Sequence, residues 1–271
     1  MFLGDTHSHS LCSPDGQFTV WEMAQAGRAA GLTHLCLTDH HDLVTLQGVP
    51  NYTYDWTPYN AAVAEARANL PQGLELCQGM ELGEAYENPD AARAILAAQP
   101  ELDFVIGSVH NYRAMKGKTD FYFAHYPDVD ACLQTLDDYL GSLEALVALP
   151  DCYDSLGHIV YPLRYMTAHQ DLRITLLHGK NLERLAEILR VNAQNGKAME
   201  VNTWRGRTVA EWEPYLRLYK SLGGEFVTVG SDAHVTQHLA KGVREAYSLL
   251  AACGFDHVTV YRGRKAEKER L

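Results

Sequence analysis

Thr33-His34-Leu35-Cys36-Leu37-Thr38-Asp39-His40-His41-Asp42 follows a glycine, runs apolar for a few residues, and then ends in a knot of acids and imidazoles. A short apolar run of this kind reads as a buried strand. The same grammar recurs along the chain. Met1 to Thr6 leads into His7-Ser8-His9, Leu74 to Met80 into Glu81, and Leu102 to Val109 into His110. Tyr153 to Ile159 carries Gly157-His158, Lys197 to Val201 leads into Asn202, and Glu225 to Val229 leads into Gly230-Ser231-Asp232-Ala233-His234. That makes seven strand candidates.

Helical patterns sit between most of them. Thr19-Val20-Trp21-Glu22 has capping-box spacing and predicts a helix ending near Gly31. Asn181 to Asn195 carries Leu182, Leu185, Ala186, Ile188 and Leu189 at helical spacing before Gly196. Thr208-Val209-Ala210-Glu211 predicts a second capping box, with its helix stopping at Gly223-Gly224. A stripe of Leu239, Val243, Tyr247 and Leu250 ends at Gly254. Strand and helix in alternation imply a parallel sheet with helices outside. A closed or nearly closed β/α barrel fits better than an open sheet, although periodicity alone does not decide closure. With no repeat and no linker-like run, residues 1–271 read as one domain.

In a parallel barrel all strand C-termini open on one face. Six strand ends would therefore bring His7, His9, His40, Glu81, His110, His158, Asp232 and His234 to one rim. His-x-His on a strand puts both rings on one side, and Asp232-x-His234 has the same geometry. So many imidazoles would repel one another when protonated and need many buried partners when neutral. A multinuclear metal site removes both problems, and mixed imidazole and carboxylate donors suit zinc, iron or manganese. His41, His125 and His178 read as ordinary surface or core histidines.

Composition narrows the partners. Of 271 residues, 46% are hydrophobic and 21% charged, which are globular values that exclude long disorder. Lys and Arg total 23 against 34 Asp and Glu, so the net charge is −11. That balance disfavours long nucleic acid and anionic membranes, while a metal-lined cleft still admits a phosphorylated substrate. No apolar run reaches spanning length, and Met1 to Asp5 lacks the basic and apolar regions of a secretory signal. Six cysteines, Cys12, Cys36, Cys77, Cys132, Cys152 and Cys253, form no C-x-x-C pair. They are expected to be free thiols in a reducing cytoplasm.

Taken together, His7-x-His9, Asp15-Gly16 eight residues after His7, Thr38-Asp39-His40, Glu81, His110, His158 and Asp232-x-His234 resemble, in order, the motifs of the PHP (polymerase and histidinol phosphatase) superfamily. The resemblance implies a distorted (β/α)7 barrel with two or three divalent ions (Zn, Fe or Mn) at the C-terminal ends of the strands. It implies the ligands His7, His9, Asp15, His40, Glu81, His110, His158, Asp232 and His234, with Glu81 as a bridging carboxylate. Ile106-Gly107-Ser108-Val109-His110, Gly157-His158 followed by Tyr161-Pro162-Leu163-Arg164-Tyr165, and Glu200-Val201-Asn202-Thr203 followed by Arg205 and Arg207 are similar to the histidinol-phosphatase branch.

That branch implies hydrolysis of a small phosphate monoester, L-histidinol phosphate. Arg164 and Arg205 or Arg207 would hold the phosphoryl group, because the planar guanidinium fork matches it. Trp204-Arg205-Gly206 departs from the branch's Asn-Thr-Ser pattern, which leaves open whether Arg205 or Arg207 makes that contact. Glu81, Asp232, His234 and Arg164 are the expected catalytic residues, and Asn202 and Thr203 the expected floor of the cleft. Asp39 is expected to hydrogen-bond a ligating imidazole. The segment Asn111 to Asp130 is expected to fold over the cleft, with Tyr112, Phe121, Tyr122, Phe123 and Tyr126 enclosing the organic part of the substrate. Two other readings stand beside this one. One is a phosphoesterase of the same superfamily acting on nucleotides, nucleoside bisphosphates or nucleic-acid ends. The other is a non-catalytic metal-binding or partner-binding domain.

Overall fold

The computed structural model describes residues 2–113, 120–166 and 174–271. In chain order its strands are β1 (Gly4–Asp5), β2 (His34–Leu37), β3 (His40–Asp42), β4 (Glu75–Gly83), β5 (Phe104–Ser108), β6 (Ser155–Leu156), β7 (Ala198–Asn202), β8 (Val227–Gly230), β9 (His257–Arg262) and β10 (Lys265–Arg270). The helices are α1 (Val20–Ala29), α2 (Thr57–Ala68), α3 (Pro89–Ala97), α4 (Val129–Val147), α5 (Gly179–Gln194), α6 (Glu213–Ser221) and α7 (Val243–Ala252).

Seven strands form one parallel path in the order β1-β2-β4-β5-β6-β7-β8, with β3 added on β4. The path closes on itself. Thr6 N–H donates to Val229 C=O at 3.0 Å, Asp232 N–H to His7 C=O at 2.8 Å, and His9 N–H to Ala233 C=O at 2.8 Å. The seam therefore lies between the ends of β1 and β8, and the chain adopts the expected distorted (β/α)7 barrel.

The helices cover the barrel because each buries one stripe. Along α4, Leu136, Tyr139, Leu140 and Leu143 are buried at one residue or one turn apart. Each such side chain contributes roughly 1.5–3 kcal/mol of apolar burial. The capping box of α1 forms as its sequence predicts: Thr19 Oγ1 accepts Glu22 N–H, and Glu22 Oε2 accepts Thr19 N–H. The second predicted box does not form. Thr208 Oγ1 donates to Asn202 C=O instead, Val209–Trp212 is a 3-10 turn, and α6 starts at Glu213 with Pro214 in its first turn.

Two further features depart from the strand pattern of the sequence. β3 is a polar triplet, His40-His41-Asp42, paired with Glu81-Leu82-Gly83. β9 and β10 form an antiparallel hairpin under the N-terminal ends of the barrel strands. Tyr261 stacks on Phe104 there, and its hydroxyl donates to Asp154 C=O. Among the described residues, no helix is long and apolar enough to cross a membrane.

Candidate metal centre

Glu81, near the end of β4, is completely buried, and its two oxygens face different histidines. Oε2 lies 3.0 Å from His7 Nε2, 3.5 Å from His9 Nε2 and 3.0 Å from His40 Nδ1. Oε1 lies 2.7 Å from His158 Nε2 and 3.1 Å from His110 Nε2, and accepts the Ser108 hydroxyl at 2.6 Å. Side chains at or next to four other strands, β1, β3, β5 and β6, thus meet on one carboxylate.

Around it the donors fall into groups. His7 and His9 offer Nε2 atoms 3.1 Å apart, with Asp232 Oδ1 at 3.8 and 3.6 Å from them. His110 and His158 offer Nε2 atoms 3.3 Å apart. At the mouth, Asp15 Oδ2 is 2.8 Å from His234 Nε2 and 3.7 Å from His40 Nε2. The His9 ring stacks between-group contacts onto both His40 and His234, at 4.2 and 4.1 Å. All nine expected ligand positions are brought together.

These spacings fit metal ions. Two ligand atoms on one tetrahedral zinc, each about 2.0–2.2 Å from it, stand roughly 3.3 Å apart. Imidazole nitrogens facing each other at that range are poorly served by hydrogen bonds alone, since two lone pairs repel unless a proton or a cation lies between them. Among the described residues, the buried His158 Nδ1 has no hydrogen-bond partner.

The electrostatics agree. Burial opposes ionisation of Glu81, yet His7, His40 and His110 hold its carboxyl well below the usual range. Burial likewise opposes ionisation of Asp232, and His7 and a bond to His9 overcome it. Burial disfavours a charge on His7, but Glu200, Glu81 and Asp232 raise its pKa well above that of free imidazole. Burial, with His234 and His40 nearby, pushes His9 well below it.

Other side chains aim these rings. His7 Nδ1 contacts Glu200 Oε1 at 2.6 Å, His110 Nδ1 contacts Asp42 Oδ1 at 3.0 Å, and His9 Nδ1 contacts Ser13 Oγ at 3.2 Å. Each contact leaves the ring's Nε2 facing the cluster. Asp39 does not take this part. Its carboxylate accepts the Ser10 N–H and hydroxyl at 2.6 and 2.7 Å, bracing the turn after His9. Gly230 lets β8 approach His7, because a Cβ there would stand 2.1 Å from the His7 Cβ.

The cluster opens into a cavity of about 590 Å³ lined by Asp15, His40, Glu81, His110, His158, Asp232 and His234 on one side and by Arg164, Trp204, Arg205 and Arg207 on another. Arg164 is buried. Its Nη2 donates to Asn202 Oδ1 at 2.7 Å and its Nη1 to Asp232 Oδ2 at 3.3 Å. Among the described residues, Arg164 Nε and Arg205 Nε have no hydrogen-bond partner. Asn202, expected on the floor of the cleft, is wholly buried behind it and holds Arg164. Thr203 is also buried, its hydroxyl donating to Lys241 C=O. The long loop is only partly as expected, and its residues 114–119 lie outside the described residues. Tyr122 and Phe123 line the cavity. Tyr112 and Phe121 are instead buried against each other, because Tyr112 bonds Thr135 and Phe121 packs edge-on to Tyr139. Tyr126 does not line the cavity either, its hydroxyl donating to Phe121 C=O.

Residues 5–204 match the PHP domain family. The chain belongs to that family. It is similar to the histidinol-phosphatase of Lactococcus lactis subsp. lactis, 27% identical over 98% of this chain and 97% of that protein. It is also similar to the crystal structure of histidinol phosphate phosphatase from that organism complexed with zinc, L-histidinol and phosphate. There the TM-score is 0.81 at 26% identity, covering 98% of this chain and 99% of the other.

Within this PHP chain, Glu200 and Asp42 are the carboxylates beside the ligand rings that sequence reasoning missed, as it missed Ser13 and Ser108. Strand periodicity carried the signal for both carboxylates. Glu200 stands two residues before Asn202, and Asp42 two residues after His40, each on the same face as its neighbour. A second donor group, His34, Glu75 and Cys77, lies at the opposite end of the barrel, where Arg262 takes both oxygens of Glu75 at 2.6 Å.

Proposed function

We propose that this protein is a metal-dependent phosphatase that hydrolyses L-histidinol phosphate to L-histidinol and phosphate. The observation that carries the reaction class is the Glu81 carboxylate shared between two histidine groups, with Arg164 lining the same cavity. Similarity over nearly the whole chain to a phosphatase complexed with zinc, L-histidinol and phosphate supports the substrate.

His7, His9, Asp15, His40, Glu81, His110, His158, Asp232 and His234 would hold two or three ions, zinc being our choice. When bound, such ions acidify water to a pKa near 7 and neutralise charge on phosphoryl oxygens. Arg164, whose Nε has no hydrogen-bond partner among the described residues, would offer N–H donors to the phosphoryl group, and Asn202 and Asp232 fix its plane. Arg205 and Arg207 add charge at the same end. Departure of the alcohol requires a proton or a cation, and we place Asp232 and His234, both on the cavity wall, beside it. We take residues 1–271 as one catalytic unit. We assign it to the cytoplasm, in keeping with six free cysteines.

The test is phosphate release by zinc-loaded protein from L-histidinol phosphate, nucleoside monophosphates, a nucleoside bisphosphate and single-stranded DNA. L-histidinol phosphate should lead by at least about 100-fold in kcat/KM. A nucleotide or DNA end in first place would overturn the substrate, and absence of turnover with every phosphoester would overturn the reaction.

A further inference from the structure

The chain after β7 takes three left-handed residues in succession: Trp204 at φ +42°, Arg205 at +61° and Gly206 at +82°. Only the glycine adopts that conformation without steric cost. The turn is held from all sides. Trp204 N–H donates to Asn202 Oδ1 at 2.9 Å, Arg205 N–H to Ser231 C=O at 2.9 Å, and Gly206 N–H to Thr203 Oγ1 at 3.3 Å. Strain kept in place by so many bonds marks a position with a use.

Its effect is to set the indole on the cavity wall between the arginines. The Arg164 guanidinium carbon lies 5.4 Å from the ring centroid and that of Arg207 lies 5.1 Å from it. Both are inside the range of cation–π attraction. Two guanidinium groups at one end of a cavity repel each other. An aromatic face offsets that repulsion without consuming further in-plane N–H donors, so those not already held by Asn202 and Asp232 remain for an anion. Asn202 Oδ1 receives both Trp204 N–H and Arg164 Nη2, so the indole and the buried arginine share one anchor. Arg207 is exposed, and the ring is what draws it to the cavity.

We propose that Trp204 is a positioning residue that pairs Arg164 with Arg207 at the anion end of the cavity and thereby sets its affinity for a phosphoryl dianion. This rests on the phosphatase reading above.

The test uses the zinc-loaded protein and five variants: Trp204→Leu, Trp204→Phe, Arg207→Ala, Arg164→Ala and the double change Trp204→Leu with Arg207→Ala. The readouts are KM and kcat for L-histidinol phosphate, the competitive inhibition constant of inorganic phosphate, and zinc content. Trp204→Leu should raise KM and the phosphate constant together, about fivefold to tenfold. It should change kcat less than about threefold and leave zinc content normal. Trp204→Phe, with a smaller ring face, should raise the phosphate constant only about twofold to threefold. Adding Arg207→Ala to Trp204→Leu should cost less than the two single changes predict. A wild-type phosphate constant in Trp204→Leu, with a raised one in Arg164→Ala, would overturn the role of Trp204 and leave the phosphatase reading standing. A wild-type constant in Arg164→Ala as well would show that the anion is held away from this pair and overturn the role of Trp204, whereas absence of turnover by the zinc-loaded wild-type protein is what would overturn the phosphatase reading. Should Trp204→Leu fail to fold, a wild-type constant in Trp204→Phe would overturn the proposal.

Discussion

Glu200 Oε1 lies 2.6 Å from His7 Nδ1, and the other oxygen of the same carboxylate accepts the His158 N–H at 2.7 Å. One buried side chain on β7 thus fixes the ring that ends β1 and the backbone that ends β6. Glu200→Gln keeps the shape and removes the charge that sets the His7 tautomer. Zinc affinity should fall about 10- to 100-fold, with turnover recovering in excess zinc. Titration against a competing chelator measures it, and wild-type affinity would reduce Glu200 to a packing role.

Glu81→Gln tests the shared carboxylate. An amide is a poor bridge, so the zinc-to-protein ratio should drop and kcat should fall by more than about 100-fold, with the circular dichroism spectrum intact. If Glu81 were merely structural, both values would stay near wild type. Elemental analysis and turnover on one preparation separate the two.

Arg164→Ala removes charge-assisted bonds of roughly 1.5–3 kcal/mol each. The expected result is a fall in kcat/KM of about 10- to 100-fold per bond lost, with normal zinc content. Unchanged kinetics would make Arg164 only the partner of Asp232.

At the other end of the barrel, Glu75 is held ionised by His34 and by the two-pronged Arg262, which lower its pKa. A depressed folded-state pKa contributes stability above the unfolded value of 4.5. That stability drains away as the pH falls through the folded value. Because Glu75 is partly exposed, solvent screening limits the effect to about 1 kcal/mol. Glu75→Gln should be less stable than wild type at pH 7, and urea unfolding should show the gap narrowing from pH 5 toward pH 3. A gap independent of pH would point to packing rather than charge.

The barrel was legible because its strands announce themselves as apolar runs closed by glycine or histidine. The donor set was legible because His-x-His and Asp-x-His survive any uncertainty of a residue or two in strand ends. β3 was hidden because His40-His41-Asp42 has no apolar member. The β9–β10 hairpin was hidden because Lys265–Arg270 alternates charges and is exposed almost throughout. Its turn does carry a local sign, Gly263 and Arg264 both at positive φ, but only the glycine is visible in sequence. Thr208 misled because a hydroxyl three residues before Glu211 has a competing acceptor in the Asn202 carbonyl. Asp39 misled for a related reason: adjacency to His40 in sequence is not adjacency of side chains, and in the break between β2 and β3 Asp39 faces Ser10.

The seam joining Thr6 to Val229 and His7 to Asp232 has a consequence for the birth of the protein. Its partners are separated by more than 220 residues, so closure is a long-range event that comes late in folding. A ribosome must release the segment through His234 before the metal centre has all its donors. Until then, His7 and His9 wait at the edge of an open sheet. Metal capture therefore follows translation rather than guiding its early stages. Once it occurs, it acts as a clasp: ions that bind only the closed barrel draw the unfolding equilibrium toward the folded form. Availability of the metal in the cell would then govern how long each copy survives as well as how fast it works.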